Sequence, residues 1–440
     1  MNAKKIIFFW REIKSSFWFL PTTIILIAIC FAFGLIYLDN YFTFEPKGIA
    51  SFAFSASVHS ARSVLSTISG AMITVAGTVF SITLVALALA ASQFGSRILR
   101  SFMTQRINQV VLGSYIATYV YTLIVLNSIS DTEDVRFIPI LSVAFAIIVT
   151  IANIVLLIIF IHHIAVSIQA DYIIAEITRT FFNDAKYHFA ESKNNDGKQD
   201  LPPEKEDYLN HFAQKEPVST DDYGYLQDIN YEKLFDFAIA HNSLAILHNK
   251  PGDFLVKDTK IAFIYSNETI DKKDLQELKA AFIIGKLRTP QQDAEYSIQQ
   301  IVQIAVRALS PSINDPFTAI SCIHNLTSIL CYLTGIKFPS GSWYDDNGEL
   351  RIRLKTIRFE DILNASFNQI KNYSAGNPVI FQTLMNSLNT IQGFIQSDEQ
   401  HEAIRQHAFS ILSLADKSLK DENELNALRK SSMGILNPAT

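Results

Sequence analysis

Two groups of residues have types and spacing that could do chemistry. The first lies in the C-terminal half, where Arg288, Asp293, Arg307, Asn314 and Asp315 fall within the stretches RTPQQD and RALSPSINDP. Arginine and aspartate so placed can hold a charged ligand or a partner's surface, and the five residues define a candidate ligand or interface site. Buried Arg–Asp pairs and helix caps would use the same residue types without any ligand. Asp315 followed by Pro316 reads as an N-cap and a first helical position.

The second group has no charge. Between Arg62 and Arg97 the chain reads SVLSTISGAMITVAGTVFSITLVALALAASQFGS. Residues three and four apart share a helix face, so Thr67, Gly70, Thr74, Gly77 and Ser81 line up, with Thr78 beside them. Ile73, Val79, Phe80, Ile82 and Leu84 fall on the other sides. Two readings compete for this stripe. Small residues let helix backbones approach and hydroxyls bond across a contact; a polar face around an oligomer axis would instead line a pore. Arg97 and Arg100 follow the stripe. They would either ring a cytoplasmic mouth or fix topology by meeting anionic headgroups.

Other chemistries find little support. His162 and His163 are adjacent, so they point to different sides of a helix and do not chelate one metal together; an interfacial pair is the simpler reading, with a pH-sensitive or metal site as the alternative. GxGxxG, Walker A, HExxH and GxSxG patterns are missing. KPGDFLVKDTKIAFI resembles the turns of small biotinyl-carrier-like barrels but lacks a carrier lysine triplet. No catalytic residue, metal or cofactor is expected, and no enzyme. The three cysteines, Cys30, Cys322 and Cys331, form no CxxC pair and read as reduced thiols. With a net charge of -5 and no basic block, nucleic acid is not an expected partner.

The elements that must position these residues are of two kinds. Of 440 residues, 49% are hydrophobic and only 18% charged, and the apolar runs crowd into the first 170. Uncharged stretches from Ser15 to Leu38, Ser63 to Ser96, Ile107 to Ser130 and Phe137 to Ala170 each suffice for the roughly 20 residues that cross a bilayer. The expected spans are about 16–38, 68–92, 108–129 and 138–161. The first is too long for a signal peptide and is read as retained. The second and fourth stretches, about 34 residues or roughly 50 Å each, are expected to continue beyond the membrane as a stalk. Lys4, Lys5, Arg11 and Lys14 precede the first span and Arg97, Arg100 and Arg106 follow the second, which places both termini in the cytoplasm.

The expected organisation is a transmembrane domain over 1–170, an amphipathic stalk and polar linker over 171–222, a small β-containing module over 223–266, and a helical cytoplasmic domain over 267–440. Strands are expected at Tyr225–Ile229, Ser243–Asn249 and Lys260–Tyr265, with a helix at Tyr231–His241 and a turn at Pro251-Gly252-Asp253. A helix from about Asp293 would bury Ile298, Ile301, Val302, Ile304, Ala305 and Ala308. Ser397 and Gln400 suit a capping box. The fold class is thus an α-helical integral membrane protein of four transmembrane helices with a cytoplasmic α+β domain, mostly helical.

Taken in order, GAMITVAGTVFSITLVALALAASQFGSRILR, FIHHIAVSIQ, PGDFLV, RTPQQD and RALSPSINDPFTA resemble the bacterial predicted-membrane-protein family known as domain of unknown function 2254, over about residues 10–400. The resemblance implies a multi-spanning inner-membrane protein with a cytoplasmic domain, and implies no activity. The expected function is an oligomeric, channel-like or permeation protein whose second span lines the axis and whose cytoplasmic domain regulates it. Its partners would be the lipid bilayer and further copies of the chain. The alternative is a membrane-anchored sensor or scaffold whose cytoplasmic domain binds a ligand or partner protein.

Overall fold

The computed structural model describes residues 16–41, 57–95, 105–132, 135–188, 209, 211–290, 292–338 and 340–436. The chain divides into two compact units, Met1–Tyr172 and Ile173–Thr440.

The first unit holds α1 (Phe19–Tyr41), α2 (Val58–Phe94), α3 (Arg106–Ser128), a hairpin of β1 (Ser130–Thr132) and β2 (Val135–Phe137), and α4 (Ile140–Ser167). α3 is the centre and packs on α1, α2 and α4. Half of its most apolar window is buried (50%), against 11% in α1 and 17% in α4. The outer helices therefore turn their apolar side chains outward, among them Ile27 and Phe33 on α1 and Ile148, Ile151 and Ile158 on α4. Exposed apolar surface on this scale marks a membrane-facing protein. Gly113 lets α3 approach α1, since a Cβ there would sit 2.9 Å from the Pro21 Cα.

Polar groups join the helices at two levels. Asn153 of α4 accepts from the Ser114 hydroxyl at 2.5 Å and donates to Thr118 Oγ1 at 2.8 Å, while Tyr115 donates to the Asn153 carbonyl at 2.5 Å. Asn153 is 1% exposed, so this network satisfies an amide that lipid could not. At one end of the bundle, Pro139 starts α4 without a capping side chain. Asp39 of α1 supplies the cap instead, accepting from the amides of Leu141 and Ser142, each at 2.9 Å, and from the Ser142 hydroxyl at 2.7 Å. A carboxylate there meets the positive end of the helix dipole.

α2 runs for 37 residues, about 55 Å of helix. The fourth stretch does not continue as one helix: α4 stops at Ser167, and α5 (Ala170–His188) begins after Ile168 and Gln169. Ser167 donates to the His163 carbonyl at 2.6 Å, and Asp171 enters the first turn of α5, where an acid favours a new helix start.

The second unit begins within α5, and strands follow. A five-stranded sheet has the order β3 (Gln214–Ser219), β7 (Lys260–Ser266), β5 (Leu244–Leu247), β10 (Leu350–Arg353), β9 (Ser342–Tyr344), and a three-stranded sheet has the order β6 (Phe254–Leu255), β4 (Gly224–Ile229), β8 (Phe282–Gly285). All pairs are antiparallel except β5 with β10, where Ala245 faces Ile352. α6 (Tyr231–Ala240) and α7 (Lys272–Lys279) complete this region, and its core includes Leu226, Leu234, Ala245, Ile261, Ile264 and Ile352.

This corrects the expected boundaries. β3 lies in the stretch read as linker, and β8, β9 and β10 come from the stretch read as helical. A parallel pair joined through a long crossover leaves no local pattern for the sequence to display. The strands near 225, 244 and 260, and the helix from Tyr231, stand where the alternation and the Asn230 cap place them.

The remaining helices are α8 (Ala294–Ala308), α9 (Pro316–Thr334), α10 (Phe359–Tyr373), α11 (Pro378–Gln392), α12 (Asp398–Ser418) and α13 (Glu422–Leu436). α8 buries Ile298, Ile301, Val302, Ile304, Ala305 and Ala308. Ser397 accepts from the Gln400 amide at 3.3 Å, but Gln400 Oε1 accepts from the amide of Gln396 at 3.0 Å, so the capping box is only half made. Among the described residues, five helices are long and apolar enough to cross a membrane: α1 to α4 and α9.

Candidate functional site

On α2 the buried side is formed by Leu65, Ile68, Met72, Ala76, Val79, Ala86 and Ala90. Thr67, Gly70, Thr74, Gly77, Thr78 and Ser81 are all exposed. Their hydroxyls turn back onto their own helix: Thr67 donates to the Ser63 carbonyl at 2.8 Å, Thr74 to Gly70 at 2.8 Å, Thr78 to Thr74 at 3.1 Å and Ser81 to Gly77 at 2.9 Å. A Cβ added at Gly70 or Gly77 would meet nothing within 4 Å. Among the described residues the stripe therefore serves no helix contact within its own chain, where alanine, methionine and leucine do the packing. Arg97 and Arg100 lie outside the described residues.

In the second unit, RTPQQD meets the PGD turn. Arg288 holds Asp293 through two hydrogen bonds, the Nη2–Oδ1 one at 2.8 Å, and donates to Gln299 Oε1 at 2.6 Å. Lys250, just before the turn, donates to Glu295 Oε1 at 2.5 Å, and Arg288 lies 3.8 Å from the same carboxylate. Asp293 also caps α8, accepting from the Glu295 amide at 3.1 Å. Its side chain is 3% exposed; burial pushes its carboxyl up, and the Arg288 guanidinium pulls it back. Gln292 takes both backbone groups of Ile229 in β4, accepting from its amide at 3.0 Å and donating to its carbonyl at 3.2 Å. These contacts bolt α8 to the β region. The cavity beside Asp293 holds about 10 Å³, room for one water molecule and no larger ligand.

Arg307, Asn314 and Asp315 stand apart from this pair. Asp293 begins α8 and Arg307 lies in its last turn, about 21 Å further along the axis. Asn314 adopts φ 51° in the turn after α8, closed by its amide donating to the Ser310 carbonyl at 2.9 Å. Asp315 caps α9, accepting from the Thr318 amide at 3.1 Å and hydroxyl at 2.5 Å, and the hydroxyl bond above all holds its carboxyl below the usual range. The five residues thus fall into two groups at opposite ends of one helix, Arg288 with Asp293 at its start and Arg307, Asn314 and Asp315 at and after its last turn. Sequence reading missed Glu295 and Gln299 as partners of Arg288, and Lys250 as the second cation on Glu295; the PGD turn was visible, but its docking on RTPQQD is a long-range contact.

His162 is exposed, and His163 is half-buried with its Nδ1 3.2 Å from the Ser167 hydroxyl. Among the described residues no three His, Cys, Asp or Glu side chains are grouped to hold a metal.

A bundle with outward apolar faces, joined in one chain to a mixed sheet-and-helix unit, defines a mostly helical membrane protein. The chain belongs to the DUF2254 predicted membrane protein family, whose profile matches residues 14–390. It is similar to the uncharacterised protein Rv1290c of Mycobacterium tuberculosis, 28% identical over 396 residues that cover 88% of this chain and 75% of that one. The uncharacterised protein Mb1321c of Mycobacterium bovis matches with the same identity, 28%, and coverage. No solved structure matches the chain.

Proposed function

We propose that α1 to α4 cross the bacterial inner membrane with both termini in the cytoplasm. We further propose that the chain forms a homo-oligomer in which the Thr67–Ser81 face of α2 turns to the shared axis and lines a passive path. Lys4, Lys5, Arg11 and Lys14 before α1, Arg97 and Arg100 between α2 and α3, and Arg106 at the first position of α3 support the orientation. α9 has the length of a span but buries Cys322, Leu326, Ile329 and Leu330 within its own helical layer, so it does not need lipid.

The observation that carries this reading is the outward row of Thr, Ser and Gly, about 21 Å long from Thr67 to Ser81, packed against no other helix among the described residues of its own chain. Such a row offers lipid little surface and offers a second backbone, or water, a close approach. Because the hydroxyl hydrogens are spent on carbonyls one turn back, the oxygens present lone pairs, which suit the hydrogens of water. The row carries no ionisable group, which favours passive passage over ion-coupled transport. Arg97 and Arg100 would bias the charge at the cytoplasmic mouth, the second unit would regulate or assemble the oligomer, and no enzymatic step is part of the reading.

The test uses a background lacking Cys30, Cys322 and Cys331. Gly77→Cys is expected to give an inter-subunit disulfide in native membranes, and Ile151→Cys on the outer face of α4 is not. The purified oligomer is expected to conduct in planar bilayers, and Thr74→Phe to block it. A protein that stays monomeric in nanodiscs and forms no Gly77→Cys dimer contradicts the proposal.

A further inference from the structure

The three-stranded sheet of the second unit has two unlike faces. Leu226 and Leu255 turn inward, 0% and 1% exposed, and belong to the core. On the other face Tyr225 pairs with Phe254 of β6 on one side and Gly285 of β8 on the other, and its ring meets the Phe254 ring edge-on at 5.1 Å. Successive strand residues alternate in direction, so one step along the same register sets Tyr223 beside Val256. Gln227 lies over Gly285 and donates to the Leu287 carbonyl at 2.6 Å, which ties Leu287 to the same sheet. The core has no use for these side chains: Phe254 is 56% exposed, Val256 59%, Leu287 65% and Tyr223 68%. Together they bare on the order of 500 Å², the scale of the largest apolar patch on a typical monomer, and such patches mark interaction surfaces.

We propose that this face joins the second units of two copies of the chain, each contributing the same patch. Charge and area decide the occupant. The exposed charged residues beside the four side chains are Asp222, Lys257, Asp258 and Lys286, two of each sign. Asp221, Asp253 and Arg288 are already engaged, by Lys279, Lys355 and Asp293. A rim without net charge gives an anionic bilayer surface nothing to attract, whereas an apolar centre inside a polar rim is the anatomy of a protein interface. A second copy brings the opposite charge for every member of that rim. A two-fold contact also uses one patch twice. Counted on both copies, the apolar centre comes to roughly 1,000 Å², and the rim carries it toward the roughly 1,600 Å² of a stable interface. The contact extends the proposed oligomer to the second unit and does not rest on a path along α2.

The experiment is cross-linking of the full-length chain in native membranes, in the background lacking Cys30, Cys322 and Cys331. Tyr223→Cys, Val256→Cys and Leu287→Cys are each treated with a short bismaleimide, and Phe409→Cys, 54% exposed on α12, is the control. A covalent dimer is expected from at least one patch position and not from Phe409→Cys. Adding Phe254→Glu to the cross-linking variant is expected to cut the dimer yield by about ten-fold. Because Phe254 contacts Tyr225, Lys286→Asp is a second, milder change that leaves the apolar face intact and unbalances the rim; it is also expected to lower the yield. Thermal unfolding shows which variants keep the fold. No dimer from any patch position, equal dimer from Phe409→Cys, or a yield unmoved by both changes overturns the proposal. So does quenching of a fluorophore on Val256→Cys by brominated lipid in nanodiscs, which would assign the face to the bilayer. The Gly77→Cys disulfide is scored in parallel: its presence without a patch dimer ends this proposal alone, and a patch dimer without it ends the α2 contact alone.

Discussion

Replacing Gly252 with alanine tests how the second unit is held together. Gly252 has φ 95° in the turn between Pro251 and Asp253, and its amide donates to the Leu226 carbonyl at 2.8 Å. A Cβ there would lie 2.5 Å from Asp293 Oδ2 and 2.9 Å from an Arg288 Nη. Two costs add. The left-handed backbone costs a residue with a Cβ about 1–2 kcal/mol. Displacing Asp293 then weakens a buried ion pair whose complete loss costs about 3–5 kcal/mol. A loss of about 3–5 kcal/mol in all is expected, a large share of the roughly 5–15 kcal/mol of a typical domain. Trp343 lies against Tyr231 and Phe235, at 5.8 and 5.7 Å between ring centres, and reports on this region. With Trp10 and Trp18 replaced by phenylalanine, urea unfolding followed by Trp343 fluorescence gives the change. An unfolding free energy within about 0.5 kcal/mol of the parent would refute the reasoning, since that is the range of an ordinary surface substitution.

Asn153→Val removes the hydrogen bonds to Ser114 and Thr118 and is expected to cost about 1–2 kcal/mol in detergent-driven unfolding of the first unit; a neutral result contradicts the role given to the amide. Asp39→Ala removes the cap of α4 at a cost of about 1 kcal/mol, read as faster hydrogen exchange at the Leu141 and Ser142 amides. The His407 pKa falls from 6.5 to about 4 on folding, so between those values the unfolded chain binds the proton first and stability drops as pH falls. The full effect is on the order of 3 kcal/mol, and His407→Asn is expected to flatten the slope of stability against pH over that window.

The apolar helices were legible because length and lack of charge are local properties. So were α8 and α9, whose buried stripe and Asp315-Pro316 start stand in the sequence itself. The second unit's sheets were legible only in their central strands. Asn347-Gly348, with Gly348 at φ 87°, is a hairpin signal between β9 and β10 that alternation alone did not bring out. The parallel pairing of β10 with β5 had no local sign at all. The same limit applies to the candidate site. Arg288 and Asp293 meet because they are five residues apart around a helix start, whereas Arg307 and Asp315 are near them only along the chain. The face of α2 was readable as a stripe; that it points away from its own bundle was not, because periodicity says which residues share a side and not what that side meets.

That outward face is the central claim, and water access to it is the most direct measurement. Single cysteines at Thr74, Thr78 and Ser81, with controls at Ile73 and Leu84, are placed in a background lacking Cys30, Cys322 and Cys331 and treated with a small hydrophilic thiol reagent in native membranes. A water-lined path predicts labelling at Thr74→Cys, Thr78→Cys and Ser81→Cys and protection at Ile73→Cys and Leu84→Cys. Equal protection at all five positions, with the oligomer intact, would contradict it and leave the stripe as a packing surface between subunits.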